Sequence, residues 1–253
     1  MKDSRKDVKE YIESEIQKSG FPLEIKSSMI LAKFGWNVSP HVMFFNQKKQ
    51  RDSEIDIVAI KTLMPAIPKI LVNVLVVECK KQEKKPWVFF EQDQKNTLVT
   101  TICAKPKEAY VYLQEHFKDH YYYNQKPCQF HFPSFVKSGE PDVIAKAINQ
   151  VLDGLVFSSE QQVYLEEINW FYYPVIILDG RLFSAHVEPT GKIEITESKY
   201  LQLKVMRGLE EPEEIKVDGI RTIVSATKSY IIDIVKIDYL EGFLKMHACH
   251  ALL

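Results

Sequence analysis

Apolar positions along this chain change their period several times, and each change marks a predicted element. Val8, Ile12 and Ile16 recur at helical spacing between Asp3 and Lys18, and Gly20 stops that first helix. Pro22 opens a second helix from about Leu23 to Phe34, with Ile25, Met29 and Ile30 as its apolar positions and Gly35 as its C-cap. Trp36 to Phe45 alternates as a strand does. Asn46 to Asp52 is a polar turn that makes a hairpin into a second strand around Ile55. A linker with Pro65 and Pro68 leads to a third strand ending at Glu78. Pro86 restarts the chain, and Trp87 to about Cys103 reads as a helix.

The middle of the chain is less periodic. Tyr121-Tyr122-Tyr123 and Gln129 to Phe135 read as short strands or an aromatic-rich loop, whereas Asp142 to Leu155 is an amphipathic helix ending at Gly154. Tyr173 to Val187 reads as strand, turn at Asp179-Gly180, and strand. Lys192 to Val205 alternates as a further strand after a turn at Gly191. Tyr230 to Ile237 is a buried strand, and Asp238 caps a final helix through His247. Without repeats, low-complexity tracts or a clear linker, the pattern predicts one α/β domain with an added C-terminal half.

Two of the predicted strands carry charge where a buried strand should be apolar. They are Ser53-Glu54-Ile55-Asp56-Ile57-Val58-Ala59-Ile60 and Leu71-Val72-Asn73-Val74-Leu75-Val76-Val77-Glu78-Cys79-Lys80-Lys81. Alternation puts Glu78 and Lys80 on one face and Cys79 on the other. If the strands pair, Asp56 lies beside Glu78, and two carboxylates and an ammonium group share a sheet surface. Adjacent carboxylates repel, and a divalent cation such as Mg²⁺ or Mn²⁺ relieves the repulsion. A lysine beside that cation orients an attacking water. This is the equipment of a metal-dependent phosphodiesterase.

Composition neither adds nor removes much. The 253 residues carry a formal net charge of -1, so any attraction to a polyanion must be local. Local clusters exist: Lys48, Lys49 and Arg51 precede the first acidic strand, and Lys80, Lys81, Lys84 and Lys85 follow the second. They flank the carboxylates, where a phosphate backbone would need positive charge. Cys79, Cys103, Cys128 and Cys249 form no CxxC pair, which suits reduced thiols better than a disulfide framework. A charged N-terminus and apolar runs of only strand length predict a soluble, cytoplasmic protein without a membrane partner.

These residues resemble the PD-(D/E)XK nuclease superfamily, whose core is helix, three strands, helix and a further strand. Asp56 matches the motif aspartate and Glu78-Cys79-Lys80 the (D/E)XK tripeptide. The likeness extends to Mrr-type restriction endonucleases and archaeal Holliday-junction resolvases, which often carry a glutamate on the first core helix, as Glu24 stands ahead of Phe34-Gly35-Trp36. They often carry a glutamine after the lysine strand, for which Gln92 is the candidate. The match covers roughly residues 20 to 100. Ile55 replaces the motif proline, and the interval from Asp56 to Glu78 is long. A (D/E)XK tripeptide alone occurs by chance; at the end of an apolar strand, with an upstream aspartate and helix glutamate, it is a stronger signal.

The resemblance implies a restriction-endonuclease-like mixed sheet flanked by helices, with an added α+β C-terminal half. The N-terminal helix would span 1–20, the nuclease-like core 21–157, and the C-terminal strands and helix 158–253, packed on the same domain. It also implies a Mg²⁺- or Mn²⁺-dependent endonuclease acting on DNA. Asp56, Glu78, Glu24 and the Cys79 carbonyl would be metal ligands, with Lys80 and Gln92 also in the catalytic set. Lys48, Lys49, Arg51, Lys81, Lys84 and Lys85 would contact DNA, and a homodimer would supply two active sites for two strands. The alternative is a non-catalytic nucleic-acid-binding or sensor protein that keeps the fold.

Each candidate has a plainer reading. Glu24 in a first helical turn is favourable for its dipole interaction alone. Glu54, on the face of Asp56, is a supporting acid or a solvent-exposed one, and Gln94 is a candidate beside Gln92 for positioning water or phosphate. His116 and His120 have i, i+4 spacing but lack an HExxH pattern, and His247-Ala248-Cys249-His250 reads better as a helix end than as a metal site. No P-loop, GxGxxG or GxSxG is present, so nucleotide-driven motors and serine hydrolysis lack support.

Overall fold

A computed structural model of the chain describes residues 4–63, 70–91, 103–105, 126–133, 141–161, 167–217 and 220–249. Helices α1 (Ser4–Lys18) and α2 (Phe21–Lys33) lead into the antiparallel strands β1 (Asn37–Asn46), β2 (Arg51–Leu63) and β3 (Ile70–Glu91). Short strands β4 (Cys103–Lys105) and β5 (Cys128–His131) precede helix α3 (Val143–Glu160). Strands β6 (Ile168–Val187), β7 (Ile193–Glu197), β8 (Tyr200–Val217) and β9 (Ile220–Lys236) follow. A 3₁₀ turn at Ile237–Tyr239 then leads into helix α4 (Leu240–Cys249). Among the described residues the result is a mixed α/β fold on one nine-stranded sheet.

Strand β3 organises the sheet. It pairs antiparallel with β2 over Ile57↔Val77 to Leu63↔Leu71, and parallel with β6 from Ile70↔Ile168 to Phe90↔Ala185. The parallel pair requires a crossover, and α3 lies within it. Near its end β3 also pairs with β5, and the pairings β5–β8, β8–β9 and β9–β6 close a circuit back to β3. The sheet therefore runs across the expected boundary at 157–158, and β6 is a central strand rather than part of an addition.

Alternation along β3 divides the core. Leu71, Leu75, Val77 and Cys79 pack with Leu23 and Leu31 of α2 and with Leu240, Phe243 and Leu244 of α4. Val72, Val74 and Val76 pack with Ile144, Ile148, Val151 and Leu155 of α3. Asp142 caps α3 by accepting the Ile144 and Ala145 N–H groups at 2.9 and 3.2 Å. No helix among the described residues is long and apolar enough to cross a membrane.

Several expectations need correction. Trp87 to Glu91 continues β3 instead of starting a helix; the ladder with β6 shifts register between Gln82 and Trp87, a gap that includes Pro86. A proline is tolerated at such an irregularity because no ladder hydrogen bond is required of it there. Asp179-Gly180 is not a turn, since β6 passes straight through it. A Cβ on Gly180 would meet the Gln82 carbonyl oxygen at 2.5 Å, so glycine serves close strand approach there. The stretch from Lys192 to Val205 is divided between β7 and β8. On α2 the buried positions are Leu23, Ser27 and Leu31, whereas Ile25 and Met29 are exposed. Val8, Ile12 and Ile16 of α1 are exposed as well.

Gly154 does not end α3 but lies inside it. A Cβ there would meet Ile55 Cγ1 at 2.8 Å and Val76 Cγ1 at 3.2 Å. Alanine would gain about 1 kcal/mol of helix propensity, while overpacking a filled core costs about 1–3 kcal/mol. Gly154→Ala is therefore expected to destabilise the protein by up to about 2 kcal/mol in urea denaturation. An unchanged or raised midpoint would show that α3 can shift away from β2 and β3.

Candidate active site

The β2–β3 ladder ends at Ile57↔Val77, and the strands part there. Its register, continued by one residue, sets Asp56 opposite Glu78. At the fork the Asp56 side chain takes over from the ladder: its Oδ2 accepts the Cys79 backbone N–H at 2.7 Å. Both strands are fixed by apolar residues immediately before the fork, Ile57 and Ala59 on β2 and Val76 and Val77 on β3. The carboxylates are thus carried by rigid backbone.

Glu78 is only 2 % exposed, and its Oε1 accepts from Lys80 Nζ, as expected for two side chains on one face of a strand. Burial first, then the neighbouring Asp56 charge, push the Glu78 carboxyl up to about 7, while Lys80 works in the opposite direction. Asp56 is half-buried, and burial raises its pKa against the favourable Cys79 N–H and Lys80. Glu24, in the first turn of α2, is also raised, by burial and then by Asp56. Three carboxyl groups therefore share one field, and each resists ionisation.

The structure adds a residue that spacing did not reveal. His41 of β1 stands between Glu24 and Glu54, with Nε2 3.4 Å from Glu24 Oε2 and Nδ1 2.5 Å from Glu54 Oε1. Its pKa is raised, chiefly by the Glu54 hydrogen bond. Its backbone sits at φ 51°, which is uncommon for a non-glycine residue and recurs at functional sites. A lone histidine after Pro40 carries no motif, so only the bend of β1 brings it to the acids. Glu54 thereby gains a partner in the cluster.

The remaining expected residues divide. The Cys79 thiol points away from the fork into the core, 3.9 Å from Ser27 Oγ, and burial drives its pKa well above the ordinary value. Only the Cys79 backbone faces the carboxylates. Lys81 Nζ donates to the Gln17 carbonyl at 2.7 Å and pairs with Glu83 at 3.0 Å. Lys49 pairs with Asp153 at 2.7 Å, as does Arg207, so its charge is partly committed within the fold. Burial favours a protonated Asp153, but Lys49 and Arg207 outweigh it and hold the carboxyl below its ordinary range. Lys48, Arg51 and Lys84 are exposed, and Lys85 is half-buried. Gln92, Gln94, His116, His120, the Tyr121–Tyr123 run and His250 lie outside the described residues, and so do the side chains of His247 and Cys249.

Oxygen donors at the fork fit a hard divalent cation in kind. Glu24 Oε2 is buried without a hydrogen-bond partner among the described residues, and the three acids would each ionise more readily beside positive charge. Among the described residues, however, no three His, Cys, Asp or Glu side chains are already arranged to hold a metal ion. Glu78 is turned onto Lys80, and Asp56 onto the Cys79 N–H. Comparison of the chain with protein-family models, with curated proteins and with solved structures finds no match.

Proposed function

We propose that this chain is a metal-dependent deoxyribonuclease with a restriction-endonuclease-like core, hydrolysing phosphodiester bonds in DNA. The observation that carries the reading is the fork itself. Asp56, pinned by the Cys79 N–H, stands across from Glu78, with Lys80 on the Glu78 face. Helix α2, the β1–β2–β3 meander, and α3 crossing to a strand parallel with β3 support the reading, with β4 and β5 inserted between β3 and α3.

Asp56 and Glu78 would hold Mg²⁺ or Mn²⁺, with the Cys79 carbonyl and Glu24 completing the protein's oxygen set. When bound, such an ion polarises the scissile phosphate and lowers the pKa of its water. The chain's own part is positional. Asp56 is kept in place by its backbone hydrogen bond, and the low exposure of Glu78 limits bulk water. Lys80 Nζ, 19 % exposed at its side chain, orients the attacking water and faces the charge that develops on the phosphoryl oxygens. Hydrolysis forms a bond from the water oxygen to phosphorus and breaks the bond to the leaving sugar oxygen, which takes up a proton. A homodimer would place two such sites on opposite strands.

The absence of a preassembled three-ligand group among the described residues favours a second reading, a nucleic-acid-binding protein that keeps the fold without cleaving. Supercoiled plasmid incubated with Mg²⁺ or Mn²⁺, beside an EDTA control, separates the two. Nicking that requires metal and is lost in Asp56→Asn supports the nuclease. Glu24→Gln should lower it about ten- to a hundredfold, less than loss of Asp56 does. Binding without cleavage on duplex, single-stranded and branched DNA would favour the second reading.

A further inference from the structure

A polar cleft of about 410 Å³ lies beside the fork, between the β1–β2 hairpin and α3. Lys146, Asn149, Gln150 and Asp153 recur at i, i+3, i+4 and i+7 and form one wall, while the opposite face of α3 is buried in the core. The facing wall is Arg51, Asp52, Ser53 and Glu54 of β2, and Phe44 supplies an apolar floor, its ring stacked on Phe157 at 4.6 Å. Two links join the cleft to the fork: Glu54 bonds His41, and Lys146 is among the charges acting on Glu78.

The charges do not cancel locally. Asp153 is taken up by Lys49, Arg207 and Asn46, and Glu54 is hydrogen-bonded to His41. Arg51 and Lys146 make no ion pair among the described residues, which leaves two cations against Asp52. Gln150 Oε1 is buried without a hydrogen-bond partner among the described residues. A phosphate alone would use the cations but not two amides and an aromatic floor. Amide side chains match the paired donor and acceptor of a base edge.

We propose that this cleft holds one unpaired nucleotide of the DNA strand next to the scissile phosphate. Arg51 and Lys146 take its phosphate, and Asn149 and Gln150 take its base. The assignment rests on the nuclease reading for the role of the fork, but the cleft's binding is measurable without cleavage. A base stacked in continuous duplex must leave its stack to enter, and this costs least where it is already unpaired. The substrate class is therefore DNA with bulged, frayed or single-stranded nucleotides.

The test is the affinity of the full chain, in EDTA, for a labelled duplex carrying a one-nucleotide bulge and for the same duplex without it. Wild type should bind the bulged probe at least about tenfold more tightly. Gln150→Leu, and the exposed variant Asn149→Ala, should bring the ratio to within about twofold, and Arg51→Ala should weaken the bulged probe at least about fivefold. Thermal melting reports whether each variant is folded. A wild-type ratio near one, or a ratio that survives both amide variants, overturns the proposal. Displacement of the bulged probe by micromolar free deoxynucleoside monophosphate also overturns it, reassigning the cleft to a free nucleotide. A bulge preference in a protein that cleaves nothing upholds the cleft and rejects the nuclease; cleavage without preference does the reverse.

Discussion

Lys80→Ala is expected to lower metal-dependent plasmid cleavage by about two to three orders of magnitude, the loss that follows removal of one group aimed at transition-state charge. Affinity for DNA should change little if the chain binds it as proposed, because Lys48, Arg51, Lys84 and Lys85 would still attract phosphate without regard to sequence. The fold should also survive, since Lys80 sits where β3 leaves the core and remains partly exposed. Its removal leaves Glu78 with less opposing charge, so that carboxyl should titrate even higher than in the wild type. The measurement is single-turnover cleavage beside a binding titration at two salt concentrations. A turnover loss without an affinity loss marks a group that acts on the transition state. Full cleavage by Lys80→Ala would remove its catalytic role. Removing several of the surrounding lysines and Arg51 together should instead weaken binding and flatten its salt dependence.

Glu78→Gln should abolish cleavage and yet stabilise the metal-free protein above neutral pH. Burial and the Asp56 charge raise the Glu78 carboxyl from 4.5 to about 7 in the folded state. Between those values the folded protein binds more protons than the unfolded chain, so stability falls as pH rises and the loss is complete above about 7. Glutamine cannot ionise and avoids this loss, a gain of up to about 3 kcal/mol at pH 8 that disappears below pH 4.5. Melting curves in EDTA at pH 4.5 and pH 8 measure the difference, which should be close to nothing at the lower pH. A variant less stable than wild type at pH 8 would mean that the Glu78–Lys80 pair is worth more than its desolvation costs. At sub-saturating metal the same titration predicts that wild-type cleavage falls as pH drops below about 7, because protonation of Glu78 would compete with a cation there, and more metal should move the fall to lower pH.

The sequence by itself determined the elements whose periods are unambiguous and the identity of the acids. Asp56 and the Glu78-Cys79-Lys80 tripeptide stood out because charge interrupts runs of Val and Ile, and alternation alone put Glu78 and Lys80 on one face. The amphipathic stretch from Asp142 to Leu155 marked α3 for a similarly local reason. Tertiary structure decided what local periodicity cannot carry. Trp87 to Glu91 reads as a helix start until the β6 partner keeps it extended. Gly180 looks like a turn because its reason, the Gln82 carbonyl on the neighbouring strand, is nearly a hundred residues away. His41 joins the acids only through a bent backbone beside β2, and Lys49 is drawn to Asp153, a pairing between a hairpin and a helix far apart in the chain. An amphipathic helix from Asp142 to Leu155 implies a polar face, but its stripe of Lys146, Asn149, Gln150 and Asp153 becomes a cleft only when a second wall stands opposite it. Side-chain chemistry and period are properties of a few adjacent residues, whereas partners, burial and shared fields are properties of strands brought together.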